Sequence, residues 1–189
     1  MTTTITTTTT TLADLAGAYT LDPAHTRIGF VARHAMVTKV RGAFTDFEGS
    51  ATIDGDFTKS TVTVTIAATS ITTGNEQRDG HLRSNDFLAM DEYPQITFVS
   101  TGVAQSGPTT FELTGDLTIK DVTRAVTVPF EFEGSAVDPF GNVRVGFEGS
   151  VTINRKDYGI TWNAALETGG VLVSDQIVLQ FDVSAIKSA

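Results

Sequence analysis

The chain has 189 residues, a net charge of −9 and a pI near 4.6, with 40% hydrophobic and 19% charged residues. That composition excludes a disordered chain, and the acidic balance opposes electrostatic binding to nucleic acid or to anionic lipid surfaces. The absence of cysteine removes disulfides, thiolate zinc sites and cysteine nucleophiles, and 32 Thr alongside many Val and Phe favour strands.

Nine of those Thr lie in the first eleven residues. The tract has no basic segment followed by an apolar run, as a secretory signal requires, and no stretch of the chain reaches the ~18 apolar residues of a membrane helix. The expectation is a Thr-rich flexible arm over 1–17, with an edge-strand extension or partner contact as alternatives. A β-barrel domain over 18–189, a cytoplasmic location and no stable membrane insertion are expected with it.

The first strand is expected near 19–34. Ile28, Phe30 and Ala32 share one face of it and His34 continues the series. His34 is then either a satisfied interior or rim histidine or a polar anchor for a ligand head group. A second strand follows near 42–54 with Phe44 inward, and a third near 60–69, where Thr61-Val62-Thr63-Val64-Thr65-Ile66 alternates without error. Residues 75–90, NEQRDGHLRSNDFLAM, lack alternation and read as one or two short helical turns. Their polar cluster, including Arg78 and His81, is either a solvated or internally paired surface or a polar rim over a barrel mouth.

Further strands are expected near 95–105, 109–119, 122–136, 143–154 and 175–186. Phe98, Leu113, Leu117, Phe130, Phe147, Leu179 and Phe181 fall on their apolar faces. An irregular stretch over 155–170 carries the only Trp, Trp162. The segment FEGS occurs at Phe47, Phe132 and Phe147, an aromatic followed by a Gly where the sheet must bend, at a bulge or a barrel corner.

Alternation on this scale means antiparallel strands with one wet and one dry face. Eight strands could close as an up-and-down barrel or stack as a sandwich. Ile28, Phe30, Phe44, Val62, Val64, Phe98, Leu113, Leu117, Phe130, Phe147, Leu179 and Phe181 form one continuous dry series. His25, His34 and His81 have no metal-ligand spacing, and no phosphate-binding loop or nucleophile elbow is present, so neither a metal nor a cofactor is expected. Paired carboxylates at Asp54/Asp56 and Asp91/Glu92 read as turn residues.

Several blocks together resemble the YceI-like family of lipocalin-like polyisoprenoid-binding proteins. They begin with Tyr19-Thr20-Leu21-Asp22-Pro23-Ala24-His25-Thr26, with Thr26 where Ser is more usual, and Gly42-Ala43-Phe44-Thr45-Asp46-Phe47-Glu48-Gly49. Arg78-Asp79-Gly80-His81-Leu82 with Ser84-Asn85-Asp86-Phe87, and then Tyr93-Pro94-Gln95-Ile96-Thr97-Phe98, follow in order. Gly115-Asp116-Leu117-Thr118-Ile119 and Ile153-Asn154-Arg155-Lys156-Asp157-Tyr158-Gly159-Ile160 complete a likeness spanning about Tyr19 to Ser184. Leu88 and Ala89 depart from a more usual Phe and acid, and Asp121 from a more usual Gly.

The resemblance implies an all-β, eight-stranded antiparallel barrel with a short helical insertion near 75–90, enclosing an elongated apolar ligand. It implies a non-catalytic carrier or store of a long-chain isoprenoid or fatty lipid, whose head group meets His34, Arg78 or His81 at a mouth. A homodimer is compatible with the family. Two alternatives stand beside it: an enzyme acting on such a lipid through His34 with Asp79 or Asp86, and a structural or partner-binding module with a filled core.

Overall fold

The alternating segments become strands in the computed structural model, which describes residues 10–189. In chain order they are β1 (Gly17–Leu21), β2 (Arg27–His34), β3 (Thr38–Phe44), β4 (Phe47–Ile53), β5 (Thr61–Ala67), β6 (Ile71–Thr72), β7 (Gln95–Gln105), β8 (Thr110–Ile119), β9 (Val122–Val137), β10 (Val143–Asn154) and β11 (Gln176–Lys187). One helix, α1 (Glu76–Arg83), lies between β6 and β7.

Every pairing is antiparallel, and β1 pairs with both β4 and β11. The ring β1-β4-β5-β7-β8-β9-β10-β11 is therefore closed. β2, β3 and β6 carry β1, β4 and β5 onward to the far rim, with β2 pairing to β11 and β3. The eleven segments make eight barrel strands in meander order. Closure rather than sandwich stacking removes the edges that so Val- and Thr-rich a sheet would otherwise expose.

The strands expected at 19–34 and 42–54 are each interrupted. At the first break Thr26 replaces the ladder with its side chain: its hydroxyl donates to Ser184 O at 2.9 Å and accepts from Ser184 N at 3.0 Å. Asp22 sits at the same break, bound by Arg144, which also donates to Asp138 at 2.7 Å. Hydrogen bonds from Arg144 and His25 hold the Asp22 carboxyl below its usual range. Those from Asn142 and Arg144 hold Asp138 well below it. Depressed carboxyls stabilise the fold above the ordinary Asp pKa of about 3.9, and the contribution is lost as pH falls below that value. The melting temperature of Arg144→Gln is therefore expected to fall less than that of the wild type between about pH 6 and about pH 3. Equal falls in the two proteins would remove Arg144 from the acid response.

One barrel end collects the β2–β3 turn, the segment around α1, the turn at 120–121 and residues 155–175; we call it the helical end. The other collects the N-terminal turn and the loops at 54–60, 106–109 and 138–142. Most of the Thr tract, residues 1–9, lies outside the described residues. From Leu12 the chain is packed against the barrel, ahead of the strands. Leu12–Asp14 form a 3-10 turn, and Leu12 and Leu15 are buried with Tyr19, Phe57, Val103 and Phe111. Leu12 N donates to Pro108 O, and the Tyr19 hydroxyl donates to Leu15 O at 2.8 Å. The Thr run has nothing to bury; the two leucines after it do, and they close this end.

Candidate functional site

The barrel encloses an apolar cavity of about 310 Å³, and all twelve residues of the dry series line it. Val62, Val64, Phe98, Val126, Val151, Leu179 and Phe181 point inward yet are only half-buried. Their free surface faces the lumen. The ends are tighter: Phe57 and Phe111 are buried at one, and Phe87, Leu88, Tyr158 and Ile160 at the other. The volume sits at the lower bound of ligand pockets, roughly 300 Å³. The lumen is thus open rather than packed solid.

Glycine keeps it open. Phe30 lies over its cross-strand partner Gly42, and Phe130 over its partner Gly149. A Cβ on Gly149 would stand 2.6 Å from the Phe130 ring, and one on Gly115 would meet the Phe98 ring. Without those Cβ atoms the rings lie against the wall instead of projecting to the axis. Two of the FEGS repeats serve this purpose, since Gly49 receives Leu21 as Gly149 receives Phe130. The third differs. Gly134 has φ +144° beside a bulge, where the β9–β10 register shifts between Gly146 and Phe147.

The expected polar mouth is arranged differently. None of His34, Arg78 and His81 lines the cavity. The inward parity of β2 ends on the wall at Ala32; His34 lies beyond it, exposed and bridged to Val173. Arg78 is exposed and turned back on Thr73, donating to its Oγ1 at 2.7 Å and its carbonyl at 3.1 Å. His81 is hydrogen-bonded to Asp86 at 2.8 Å and meets Trp162 and Phe87 edge-on, with ring centroids 4.7 and 5.0 Å away. It sits one layer outside the cavity, whose wall here is Leu82 and Phe87.

The polar cluster of 75–90 is an internal clamp. The Asn75 side chain accepts from Arg78 N and caps α1. Buried Asp79 accepts from Thr73 N at 2.8 Å and from the Thr73 hydroxyl. Burial raises its carboxyl, but the Thr73 and Thr72 hydrogen bonds outweigh burial and hold it below the usual range. Arg83 donates to Thr69 O and Ile71 O. Together these pin the helical segment across the barrel end. They also occupy the carboxylates of the catalytic alternative: Asp86 is bonded to His81 and Asp79 to Thr73, and neither is a hydrogen-bond partner of His34.

Arg155 is the one charged residue on the cavity wall, and it is 4% exposed. Nε donates to Ser174 O, and Nη1 to Ile160 O and Trp162 O, all at 2.9 Å. Nη2 stands 3.8 Å from the Asp175 carboxylate. Burial lowers the guanidinium pKa, and Asp175 opposes that shift. Its donors are spent on the carbonyls of its own loop, so Arg155 fastens residues 155–175 over the helical end. Among the described residues, no cluster of three His, Cys, Asp or Glu could hold a metal, and no helix is long and apolar enough to cross a membrane.

Sequence reasoning missed the two closures. Leu82, Phe87, Leu88, Tyr158, Ile160 and Arg155 sit in non-alternating segments, where no period reveals a facing. The one signal for them was the family blocks, which include Leu82, Phe87, Arg155, Tyr158 and Ile160. The Gly usual at Asp121 also has an explanation here. Lys120 and Asp121 both have positive φ, 52° and 59°, in the tight β8–β9 turn.

Comparison with known proteins agrees with this architecture. The family model described as a YceI-like domain matches residues 19–185. A UPF0312 protein of Staphylococcus aureus (strain MSSA476) is 42% identical over 169 residues, 88% of this chain and 95% of the relative. The crystal structure of Burkholderia cenocepacia BcnA superposes with a TM-score of 0.76 at 25% identity, covering 87% of this chain and 98% of that one. A polyisoprenoid binding domain from Saccharophagus degradans, implicated in plant cell wall breakdown, shares the fold with a TM-score of 0.67 at 14% identity, covering 90% and 98%. With the domain match spanning nearly the whole barrel and a relative this similar over most of its length, the chain belongs to the YceI-like domain family.

Proposed function

We propose that this protein is a non-catalytic carrier or store of one long apolar lipid, a polyisoprenoid or similar chain, held along the barrel lumen. The observation that carries the reading is the cavity itself: it is lined by apolar side chains from every barrel strand, and its one wall charge, Arg155, is already bonded to backbone carbonyls. Such a wall recognises length and girth rather than a functional group. Each methylene removed from water contributes roughly 0.8 kcal/mol, so a chain filling the lumen binds without a polar anchor. The polyisoprenoid binding domain that shares the fold supports this choice of ligand class.

Native mass spectrometry of freshly purified full-length protein, with organic extraction of the same sample, tests it. The expected result is a stoichiometric adduct whose mass matches a hydrocarbon-rich lipid recovered in the extract. A clean apo mass with no lipid in the extract would overturn the reading.

A further inference from the structure

The net charge of −9 is not spread evenly. The segments of the helical end, taken as 33–41, 73–94, 120–124 and 155–175, hold nine Lys and Arg against nine carboxylates. The whole excess of acid therefore belongs to the rest of the barrel. The β2–β3 hairpin of this neutral end belongs to a stretch, residues 23–45, that contains no Asp or Glu at all. Arg33, Lys39 and Arg41 are exposed on the outer face of the β2–β3 hairpin, opposite in parity to Ile28, Phe30 and Phe44 on the wall. None of the three side chains has an ion-pair or hydrogen-bond partner among the described residues. Arg33 and Lys39 are direct cross-strand partners, a like-charge pair that destabilises the hairpin unless an outside anion meets it.

The tip between those charges is apolar. Residues 35–37 connect the paired His34 and Thr38, and 34–37 form a β-turn in which Val37 N donates to His34 O at 3.1 Å. Ala35 and Met36 both hold positive φ, 49° and 64°, in positions that favour Asn-Gly. Met36 and Val37 are 55% and 73% exposed, and exposed Val171 lies on the neighbouring loop. That loop is hydrogen-bonded to the hairpin through Ala35 N to Leu172 O and Ser174 N to Arg33 O. Its one carboxylate among residues 163–174 is Glu167. An apolar tip flanked by unpaired cations is the arrangement with which proteins seat at the headgroup boundary of an anionic bilayer.

We propose that this hairpin tip docks the helical end on a membrane bearing anionic phospholipids. Met36, Val37 and Val171 enter the boundary below the headgroups while Arg33, Lys39 and Arg41 meet the phosphates. The purpose rests on the lipid-carrier reading, because docking brings the lid of the lumen to the bilayer from which an apolar lipid would exchange; the surface chemistry does not depend on it. The acidic remainder of the barrel is then held away from the membrane, which orients the molecule.

The test is co-sedimentation of the full-length protein with vesicles of phosphatidylcholine alone or mixed with phosphatidylglycerol. Binding to the mixed vesicles is expected, weakening with salt and by about fivefold for each of Arg33→Gln, Lys39→Gln and Arg41→Gln. Ala35→Asn/Met36→Gly/Val37→Ser gives the turn its preferred residues, so it folds at least as well as the wild type while losing at least tenfold in binding. Equal binding by that variant, or no preference for the mixed vesicles, would overturn the proposal. So would a dimer in solution that the variant abolishes, since the tip would then serve a second copy. Extracted lipid content is read alongside. Co-purified lipid without vesicle binding overturns docking alone, and vesicle binding without co-purified lipid supports docking while removing the carrier reading.

Discussion

Val64→Trp/Val126→Trp is expected to empty the purified protein of lipid while leaving the barrel folded. Both positions line the cavity, and both are half-buried because their methyl groups face the lumen. The added indoles occupy the space that a ligand chain would otherwise fill. Displacing four methylenes of ligand costs about 3 kcal/mol of binding, a loss of roughly two-hundredfold. Growth into a void avoids most of the 1–3 kcal/mol that overpacking a solid core entails. Organic extraction and native mass spectrometry of the double variant should therefore show an apo protein, with circular dichroism unchanged from the wild type. Undiminished lipid at full occupancy would place the ligand outside the lumen.

Arg155→Met is expected to lower the unfolding free energy by about 3–5 kcal/mol, the cost of removing one partner from a buried charged network. Methionine keeps much of the volume but supplies no donors. The carbonyls of Ser174, Ile160 and Trp162 are then left without the guanidinium that satisfies them, and Asp175 loses a neighbouring cation. Arg155→Lys should recover only a small part of the loss, because an ammonium cannot reach three carbonyls in the fork geometry. Equilibrium urea unfolding of both variants is the measurement. A change under about 1 kcal/mol for Arg155→Met would mean that the loop is held by its apolar contacts alone.

These two variants separate the parts of the site that could be read in advance from those that could not. Val64 was legible because Thr61 to Ile66 alternates without error, and a side chain's face on a strand follows from its parity. The same argument placed Ile28, Phe30, Leu113, Phe130 and Leu179 on the wall. Arg155 was not legible as a fastener. It lies where β10 gives way to an irregular loop, and its partners come from carbonyls five to nineteen residues onward. His34 shows the limit of parity from the other side. It continues the even-numbered series of β2, yet it is exposed and off the cavity wall, because parity says nothing about where the wall ends.

The amino-acid sequence alone determined the strands, their dry faces, the helical interruption and the family, because each depends on neighbours along the chain or on short blocks of residues. Only the tertiary structure decided that the strands close into a ring and that the ring is hollow. Alternation specifies direction across a sheet, not distance from an axis. Whether the inward side chains meet depends on strand number and tilt, and on rings settling against Gly42, Gly115 and Gly149 on neighbouring strands. The same holds for charge. Composition counted −9 for the whole chain, whereas folding gathered nine of the thirteen Lys and Arg at one end and left Arg33, Lys39 and Arg41 there without side-chain partners among the described residues. A sum over residues carries no positions, and electrostatic recognition depends on positions.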